Sequence, residues 1–321
     1  MNFKKEIIEY ANSLGLSEIG FVKCEIFEQS KDYLLKRKEY NLENPYEEKS
    51  IEKRINPFNY MEGGKTIITV AFPYFKGEHK DEIYFSKYTL GMDYHLIVKK
   101  YLDDISSFIN GLGFEARSFC DNNSLMERYI ALKGGLGFIG KNNMIINRKY
   151  GSYIFLGEIL TDIELEPNTE VENKCGDCTL CQDVCPTNSL KENNSLKCLS
   201  YVSQNKNIKD QDFMNFKGRL FGCDSCQDCC PFNKNPEISN LSDFDQFDYM
   251  KCVELDELVN LDNNTFRKKY KITASGWLGK NILIRNALIN SFYYKRDFKN
   301  INFNSPYVKN YYDRLLKYFE L

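Results

Sequence analysis

Apolar residues at helical spacing predict most of the helices in this chain. Phe3, Ile7, Ile8 and Ala11 share one face of an amphipathic helix over residues 2–14. The same reasoning predicts further helices over residues 27–37, 94–109, 124–133 and 281–294.

Uninterrupted or alternating apolar runs predict the strands. Residues 65–73 are rich in β-branched side chains and end at a proline, which is typical of a buried strand. Shorter runs predict strands over residues 18–22, 115–119, 144–147 and 153–160. Because helices and strands do not alternate strictly, we expect an α+β protein whose residues 1–165 form one α/β domain with a mixed sheet. Residues 38–64 are polar and expected to be loop-rich.

Charge is distributed unevenly along the chain. The net charge is −2, yet residues 261–321 hold 12 Lys/Arg and only 4 Asp/Glu. A basic end on an acidic body is typical of a local phosphate-binding face, although a solvated helix surface is the alternative. No apolar run approaches 18 residues, and the first residues lack a signal-peptide core, so we expect a cytoplasmic protein with no membrane partner.

Nine of the twelve cysteines fall between Cys175 and Pro231. The first run, Cys175–Pro186, has the C-x2-C-x2-C-x3-C-P spacing of ferredoxins that hold two 4Fe–4S clusters. The second run, Cys223–Pro231, contains adjacent Cys229 and Cys230, which would crowd a disulfide scaffold. The spacing therefore predicts a small metal-dependent domain that relays electrons.

The spacing also suggests which thiolates share a cluster. Three cysteines two residues apart bind three irons of one cubane, and a Cys-Pro cysteine completes the other cluster. The predicted ligands of the first cluster are Cys175, Cys178, Cys181 and Cys230. The second would take Cys185, Cys223 and Cys226 and needs one more thiolate, for which local spacing nominates Cys229.

Other motifs argue against more familiar sites. The glycines of residues 135–142 match two phosphate-binding motifs, but a helix precedes them and strands follow, and Asn142 replaces the hydroxyl residue of a P-loop. The chain has only two histidines, His79 and His95, and this scarcity argues against a histidine-based triad or zinc site. Proton transfer then falls to Asp, Glu, Lys or Tyr.

Five segments, taken in order, resemble the epoxyqueuosine reductase family. Lys87–His95 is similar to the family's RY-x-x-G-x-DYH segment, and residues 121–142 are similar to its D-[TS]-G…[DE]-R-x-x-A…G-x-G-[FW]-x-x-KN segment. The others are Ile51–Arg54, the two cysteine runs with Lys197–Tyr201 between them, and Ser275–Ala287. The resemblance covers roughly residues 1–295.

The resemblance implies a fold, cofactors and partners. Residues 1–165 would form a nitroreductase-like, cobalamin-binding catalytic domain, and residues 166–235 a bacterial ferredoxin-like domain with two 4Fe–4S clusters. Residues 236–321 would form a short, basic, helical region in which the family's HEAT-type repeat is truncated or replaced. The substrate would be tRNA with a GUN anticodon carrying epoxyqueuosine, and the product would be queuosine. An external flavodoxin or ferredoxin system would donate the electrons to a monomeric enzyme.

The resemblance also implies roles for individual residues. Asp121 would donate a proton to the leaving epoxide oxygen, which requires a carboxyl pKa raised by burial or a nearby anion. The alternative is that Asp121 only caps a helix beginning at Ser124, where Asn123 or Ser124 could also act as cap. Contacts with the corrin amides or nucleotide tail would come from Arg54, Glu127, Arg128, Lys141, Asn142 and Ser152. A surface ion pair is the alternative for Arg128.

The family pattern further nominates Cys198, rather than Cys229, as the fourth ligand of the second cluster. Candidate contacts with tRNA phosphates are Lys206, Arg267, Lys268, Lys269, Lys280 and Arg285. Trp277 could stack on a base or anchor the last helices. One departure concerns the family's Asp-Thr-Gly, which is Asp121-Asn122-Asn123 here; asparagine also tolerates left-handed backbone, so we expect the turn to persist.

Three other functions compete with this interpretation. A cobalamin-dependent reductase of a small molecule, akin to reductive dehalogenases, would not need the basic C-terminal end. A ferredoxin-like electron carrier would leave the first 165 residues without a purpose. A tRNA-binding protein with purely structural clusters would show no affinity for a corrin.

Overall fold

The structure is a computed structural model that describes residues 2–78, 81–296, 301, 303 and 305–320. His79 lies outside the described residues. The helices, in chain order, are α1 (Phe3–Ser13), α2 (Lys31–Glu39), α3 (Ile51–Ile55), α4 (Tyr94–Gly111), α5 (Glu127–Lys133), α6 (Leu180–Asp183), α7 (Leu199–Gln204), α8 (Ser225–Asp228), α9 (Asp248–Lys251), α10 (Leu255–Val259), α11 (Asn263–Thr265), α12 (Lys280–Tyr293) and α13 (Pro306–Tyr318). The strands are β1 (Ile19–Lys23), β2 (Thr66–Pro73), β3 (Tyr84–Phe85), β4 (Ala116–Phe119), β5 (Phe138–Ile139), β6 (Ile145–Ile146), β7 (Ile154–Thr161) and β8 (Arg219–Phe221).

The chain divides into two compact units, each assembled from three segments. The first unit comprises Met1–Phe75, His95–Gln182 and Gln227–Ser242. The second unit comprises Lys76–Tyr94, Asp183–Cys226 and Asp243–Leu321. The domain boundaries at residues 165 and 235 stay a prediction.

A four-stranded sheet in the order β1-β2-β7-β4 forms the centre of the first unit. All eight residues of β2 are buried, as expected for a central strand covered on both faces. Each strand pair in this sheet is antiparallel, so the sheet is not mixed as the sequence suggested. The last of the four strands in the sequence, β7, lies between β2 and β4.

Helices cover both faces of this sheet. A Cβ at Gly157 would meet Leu102 and Val98, so α4 packs closely against one face. A Cβ at Gly134 would meet Thr69, so the end of α5 lies against the other face. Because side chains alternate along a strand, Glu158 points to the α5 face when its neighbour Gly157 faces α4.

The second unit is built around α12, whose central residues, 282–291, are all buried. Its apolar core joins α12 to the short parallel pair β3–β8 and to α13, through side chains such as Leu283, Phe221 and Leu315. The helix was predicted one residue later at each end, over 281–294, and its position is confirmed. Among the described residues, no helix combines the length and hydropathy required for a membrane span.

Local differences from the sequence prediction have physical causes. Residues 38–64 were expected to be loop-rich, but Ser50 caps α3 by accepting a hydrogen bond from the Lys53 N–H at 3.3 Å. This helix has only five residues, too few to show apolar periodicity in the sequence. Likewise, α5 begins at Glu127 rather than Ser124, because the preceding residues form a turn of their own.

Candidate functional site

A left-handed turn follows β4 and carries Asp121. Asp121 and Asn122 have φ angles of +43° and +46°, a region that Asp and Asn enter more readily than most residues. The Asn123 Nδ2 donates to the Asp121 carbonyl at 2.8 Å, and its Oδ1 accepts from the Leu125 N–H at 2.7 Å. The turn expected from Asp-Asn-Asn is therefore present.

Asp121 does not cap a helix. Met126 is the residue before α5, and no side chain there accepts a hydrogen bond from the first turn. The Ser124 hydroxyl donates instead to the Lys53 carbonyl at 2.9 Å, so the prediction that Asn123 or Ser124 is the N-cap is wrong. The capping alternative for Asp121 is excluded for the same reason.

The turn borders a cavity of about 520 Å³ in the first unit. Four of the predicted site residues line this cavity: Arg54, Asp121, Glu127 and Arg128. Three short elements supply them, namely α3, the left-handed turn and the first turn of α5. Segments about 70 residues apart in sequence thus converge where proton transfer was predicted.

Guanidinium groups form part of the cavity wall. Arg54 Nη1 donates to Glu47 Oε2 at 3.0 Å, and Arg37 Nη2 donates to Glu47 Oε1 at 2.5 Å. Arg128 Nη1 donates to the Asn143 carbonyl at 2.5 Å, and Arg128 also lines the cavity. The ion pair considered for Arg128 is not among its described contacts.

His95 is a neighbour of Asp121 to which sequence analysis gave no role. Its Nε2 lies 3.4 Å from Asp121 Oδ2, and both side chains are between a third and a half exposed. His95 stands in the first turn of α4, far from Asp121 in sequence. The sequence signal that could have identified it was its place in the Asp93-Tyr94-His95 segment.

Two further carboxyl groups, those of Glu127 and Glu158, lie close enough to the Asp121 turn to interact with it. Glu127 Oε1 accepts a hydrogen bond from the Asp121 N–H at 2.7 Å. Burial, followed by the negative charge of Asp121, raises the pKa of Glu127 to about 8. The pKa of Glu158 is also raised well above its ordinary value, mainly by burial and then by the charges of Glu127 and Asp121. Sequence analysis named Glu127 as a corrin contact and overlooked Glu158.

A second cavity in the first unit, of about 200 Å³, is lined by cysteines. Its walls include Cys175, Cys178, Cys181 and Cys230, the four residues predicted to bind the first cluster. Lys141 reaches the same loop, where its Nζ donates to the Gly176 carbonyl at 2.7 Å and the Cys178 carbonyl at 3.0 Å. The lining has the four thiols that a cubane requires.

The remaining predicted ligands, Cys185, Cys198, Cys223 and Cys226, belong to the second unit. Burial raises the pKa of the Cys198 thiol, and the nearby Cys223 and Cys185 add to the effect. Cys229 belongs instead to the first unit, where Cys181 and Cys230 are the thiols that act on it. Cys198 therefore lies with the second set and Cys229 with the first.

Among the described residues, no three His, Cys, Asp or Glu side chains are grouped as ligands of one metal ion. A cubane does not require that grouping, because each of its cysteines binds a different iron atom. The thiols of a cluster site consequently stand further apart than the ligands of a single zinc ion.

Ser152, Asn142 and Lys141 lie outside the lining of the Asp121 cavity. Ser152 is fully buried, and its hydroxyl donates to Gln227 Oε1 at 2.9 Å while accepting from Asn233 Nδ2 at 2.8 Å. Asn142 and Lys141 line the cysteine cavity. Their roles as corrin contacts stay a prediction.

Comparison with known proteins gives consistent results across the chain. The family model "Epoxyqueuosine reductase QueG, DUF1730" matches residues 54–122, and the model "4Fe-4S double cluster binding domain" matches residues 174–233. An epoxyqueuosine reductase of Bacillus anthracis is 32% identical over 91% of this chain and 80% of its own length. One of Bacillus subtilis (strain 168) is 33% identical over 91% of this chain and 79% of its own.

The chain belongs to the epoxyqueuosine reductase family.

Solved structures agree with that assignment. An epoxyqueuosine reductase with an epoxyqueuosine-modified tRNA-Tyr stem loop superposes with a TM-score of 0.92, at 29% identity, over 99% of this chain and 90% of the other. The epoxyqueuosine reductase of Streptococcus thermophilus superposes with a TM-score of 0.87, at 28% identity, over the full length of both chains. This family member is an oxidoreductase of the predicted α+β fold with a 4Fe–4S double cluster domain.

The basic residues predicted to contact tRNA in this epoxyqueuosine reductase differ in exposure. Lys206, Arg267 and Lys268 are exposed, and the last two lie on a single π-helical turn, Phe266–Tyr270. Lys280 is half-buried, as is Lys269, which pairs with Glu257 Oε2 at 2.5 Å. All of them belong to the second unit.

Arg285 does not belong to this set. It is fully buried in α12, where Nη2 donates to the Ser203 carbonyl at 2.7 Å and Nε donates to Asn286 Oδ1 at 2.9 Å. A guanidinium with no exposed surface and several internal acceptors stabilises the core. The predicted role of Arg285 in phosphate binding is therefore wrong.

Proposed function

We propose that this protein reduces epoxyqueuosine to queuosine at the wobble position of tRNA, with Asp121 as proton donor and with cobalamin and two 4Fe–4S clusters as cofactors. The observation that carries the proposal is the Asp121 carboxyl in a cavity with guanidinium walls, in the same unit as a four-cysteine cavity. Family membership and the relative solved with a modified stem loop support the choice of substrate.

The groups around the Asp121 cavity suit part of a corrin. Cobalamin carries peripheral amides and a phosphate, and guanidinium and amide side chains bind such groups well. Arg54, Arg128, Asn122 and Asn143 supply these donors at the cavity wall. When bound, cobalamin would supply low-valent cobalt as a strong two-electron reductant. The donor chemistry of the residues present therefore fits the cofactor.

Asp121 would protonate the epoxide oxygen as its bonds to carbon break. The left-handed turn holds its carboxyl at the cavity, and Glu127 fixes the turn through the Asp121 N–H. His95 Nε2, 3.4 Å away, is the basic group nearest to the Asp121 carboxyl among the described ion pairs, and it orients that carboxyl. A positioned general acid of this kind contributes on the order of 10²–10⁴-fold to a rate.

Electrons would arrive from an external donor of the flavodoxin or ferredoxin type through the two clusters. We assign Cys175, Cys178, Cys181 and Cys230 to the first cluster, on the support of the cysteine-lined cavity. We assign Cys185, Cys198, Cys223 and Cys226 to the second, on the support of Cys198 lying near Cys223 and Cys185.

The tRNA backbone would be held by the exposed basic residues of the second unit, Lys206, Arg267 and Lys268, with partly buried Lys269 and Lys280 beside them. Such contacts position a nucleic acid without reading its sequence. Trp277 is 53% exposed, which favours a stacking role over that of an apolar anchor.

Anaerobic incubation with cobalamin, a low-potential reductant and epoxyqueuosine-tRNA, followed by nucleoside analysis, tests the proposal. We expect conversion to queuosine that requires both cobalamin and intact clusters. Protein lacking only cobalamin is the matched control. Failure of the loaded protein to convert the tRNA, together with turnover of a small halogenated or epoxide compound, would favour a small-molecule reductase instead.

A further inference from the structure

A fully buried carboxyl group, Glu158, lies beneath the Asp121 turn. It sits on β7, directly across from Phe119 of β4 and from Thr69 of β2. On the same face of the sheet, Leu156 and Leu160 belong to apolar clusters on either side of it. Glu158 therefore lies between two apolar clusters on this face of the sheet.

Nothing in the described part of the chain neutralises Glu158. Both of its carboxylate oxygens are buried without a hydrogen-bond partner, and so is the Thr69 hydroxyl opposite. The titratable groups that act on it are Glu127 of α5 and Asp121 of the turn, both acidic. Burial of an ionised carboxylate without a hydrogen bond or a positive partner is strongly unfavourable, so Glu158 keeps its proton.

Glu127 connects this buried acid with the cavity. It lines the cavity beside Asp121, and its Oε1 accepts from the Asp121 N–H at 2.7 Å and from Asn123 Nδ2 at 3.4 Å. Its pKa of about 8 means that Glu127 also carries a proton near neutrality. Glu127 and Glu158 therefore both hold a proton near neutrality, and Glu127 does so at the cavity.

The reaction needs more protons than Asp121 holds. Converting an epoxide to an alkene breaks two C–O bonds, forms one C=C π bond and releases the oxygen as water. That change consumes two electrons, which the proposed function draws from the clusters, and two protons. Asp121 can deliver one proton and must be recharged before it can deliver the next.

We propose that Glu127 is a proton reserve that recharges Asp121 during each turnover. Glu127 passes its proton to the Asp121 carboxylate left by the first transfer and regains a proton from solvent at the cavity that it lines. Glu158, buried and without a hydrogen-bond partner, keeps its proton throughout. Glu127 is a positioning residue, because it does not need to touch the substrate. The proposal rests on the proposed function for its reaction, while the protonation of the two glutamates can be measured without it.

The dependence of kcat on pH tests the transfer from Glu127 to Asp121. Glu127 loses its proton as the pH rises through about 8, so wild-type turnover of epoxyqueuosine-tRNA should fall above that pH. Glu127→Gln keeps the hydrogen bond to the Asp121 N–H but has no proton to give. We expect kcat to drop by about 10–100-fold, with KM unchanged and the alkaline fall abolished. Glu115→Gln, at an exposed glutamate paired with Arg117, is the control and should behave as wild type.

Glu158→Gln tests whether the reserve is confined to Glu127. Glutamine matches the size and neutrality of the protonated side chain, so we expect kcat and the alkaline fall near pH 8 to equal those of wild type. A kcat lowered in Glu158→Gln but not in Glu127→Gln would overturn the proposal, and so would a wild-type kcat and pH profile in Glu127→Gln.

Infrared spectroscopy of the protein without substrate supplies a readout independent of turnover. We expect carboxylic-acid C=O absorption at neutral pH, with one component that disappears as the pH rises through about 8 and is missing in Glu127→Gln. A second component should persist and be missing only in Glu158→Gln. If neither variant changes the spectrum, the reserve does not exist even in an active enzyme. If the bands are present but the loaded wild type leaves epoxyqueuosine-tRNA unchanged, the proposed function fails instead.

Discussion

Asp121 lines a cavity of about 520 Å³ in the first unit, whereas Cys175 and Cys230 line one of about 200 Å³ in the same unit. Burial disfavours negative charge in both places. It raises the pKa of Glu127 to about 8 in the first cavity and raises the pKa of the Cys230 thiol in the second. In the first cavity the retained proton is one that the proposed reaction would consume. In the second, iron must displace the protons, because clusters bind thiolates.

The two cavities also differ in how the chain builds them. Three of the four cysteines lie within seven consecutive residues, so a local loop defines most of that cavity. The acidic site joins His95, Asp121, Glu127 and Glu158, which come from two helices, a turn and a strand. A local loop can be recognised by its spacing, while the acidic site exists only once the sheet has formed. Substitutions should therefore affect one cavity without the other.

The largest effect is expected from Asp121→Asn. The amide keeps the size of the side chain and the backbone N–H that binds Glu127, but it cannot donate a proton to an alkoxide. We expect kcat for epoxyqueuosine-tRNA to fall by about 10²–10⁴-fold. Iron content and visible absorbance should equal those of wild type, because the cysteine cavity is untouched. Full turnover by this variant would remove Asp121 from the role of general acid.

Cys198→Ser and Cys229→Ser form a matched pair that tests the ligand assignment. Loss of one ligand destabilises one of two clusters, so we expect Cys198→Ser to lose roughly half of the iron and nearly all turnover. Cys229→Ser should retain its iron, because Cys229 does not line the cysteine cavity. Iron analysis and electron paramagnetic resonance of the reduced proteins give the measurement. The reverse result would make Cys229 the fourth ligand.

Substitution of Arg267 and Lys268 together to glutamine should affect neither cavity. Both are exposed on the π-helical turn of the second unit. We expect weaker tRNA binding and a log–log salt dependence that is less steep by about 1 for each lost phosphate contact. The pH profile and iron content should not change. The control is the pair Lys309→Gln and Lys317→Gln on α13, which removes the same charge; an equal change of slope there would show that the effect is not local.

The smallest effect is expected from Lys141→Met. This change removes the two hydrogen bonds to the Gly176 and Cys178 carbonyls but keeps much of the aliphatic stem. Loss of iron from the first cluster in air should become about two- to fivefold faster, the equivalent of about 0.5–1 kcal/mol for an exposed hydrogen-bonding group. Lys149→Met, which disrupts only the ion pair with Glu237, should lose iron at the wild-type rate. A fall in cobalamin affinity without faster iron loss would instead favour Lys141 as a corrin contact.

Much of the fold followed from local patterns. The buried run of residues 65–73 and the spacing of α1, α4 and α12 placed these elements within two residues of their observed ends. The family resemblance, the oxidoreductase activity and the double cluster domain are confirmed. Pairings between strands that are distant in sequence could not be predicted. Nothing in the sequence indicates that β7 pairs with both β2 and β4 in antiparallel order.

The site was predictable to the extent that its chemistry is local. The cysteine spacing named the four residues that line one cavity. Glu158 was missed because it lies in an apolar strand, where only its partners across the sheet reveal its isolation. Arg285 was assigned to the surface because sequence charge gives no information about burial, and it proved to be the largest fully buried side chain among those described.

The boundary between the two units falls inside the first cysteine run, between Gln182 and Asp183. As the chain leaves the ribosome, the four proposed ligands of the second cluster are complete at Cys226. The first set still lacks Cys230, although its other three thiols were synthesised earlier. A fragment ending at Gln182 would contain every strand of the four-stranded sheet and yet only three thiols of its cluster. The first cluster can therefore be completed only after nearly the whole cysteine region has been synthesised. Because each unit consists of three segments, truncating the chain at one position cannot yield either unit alone.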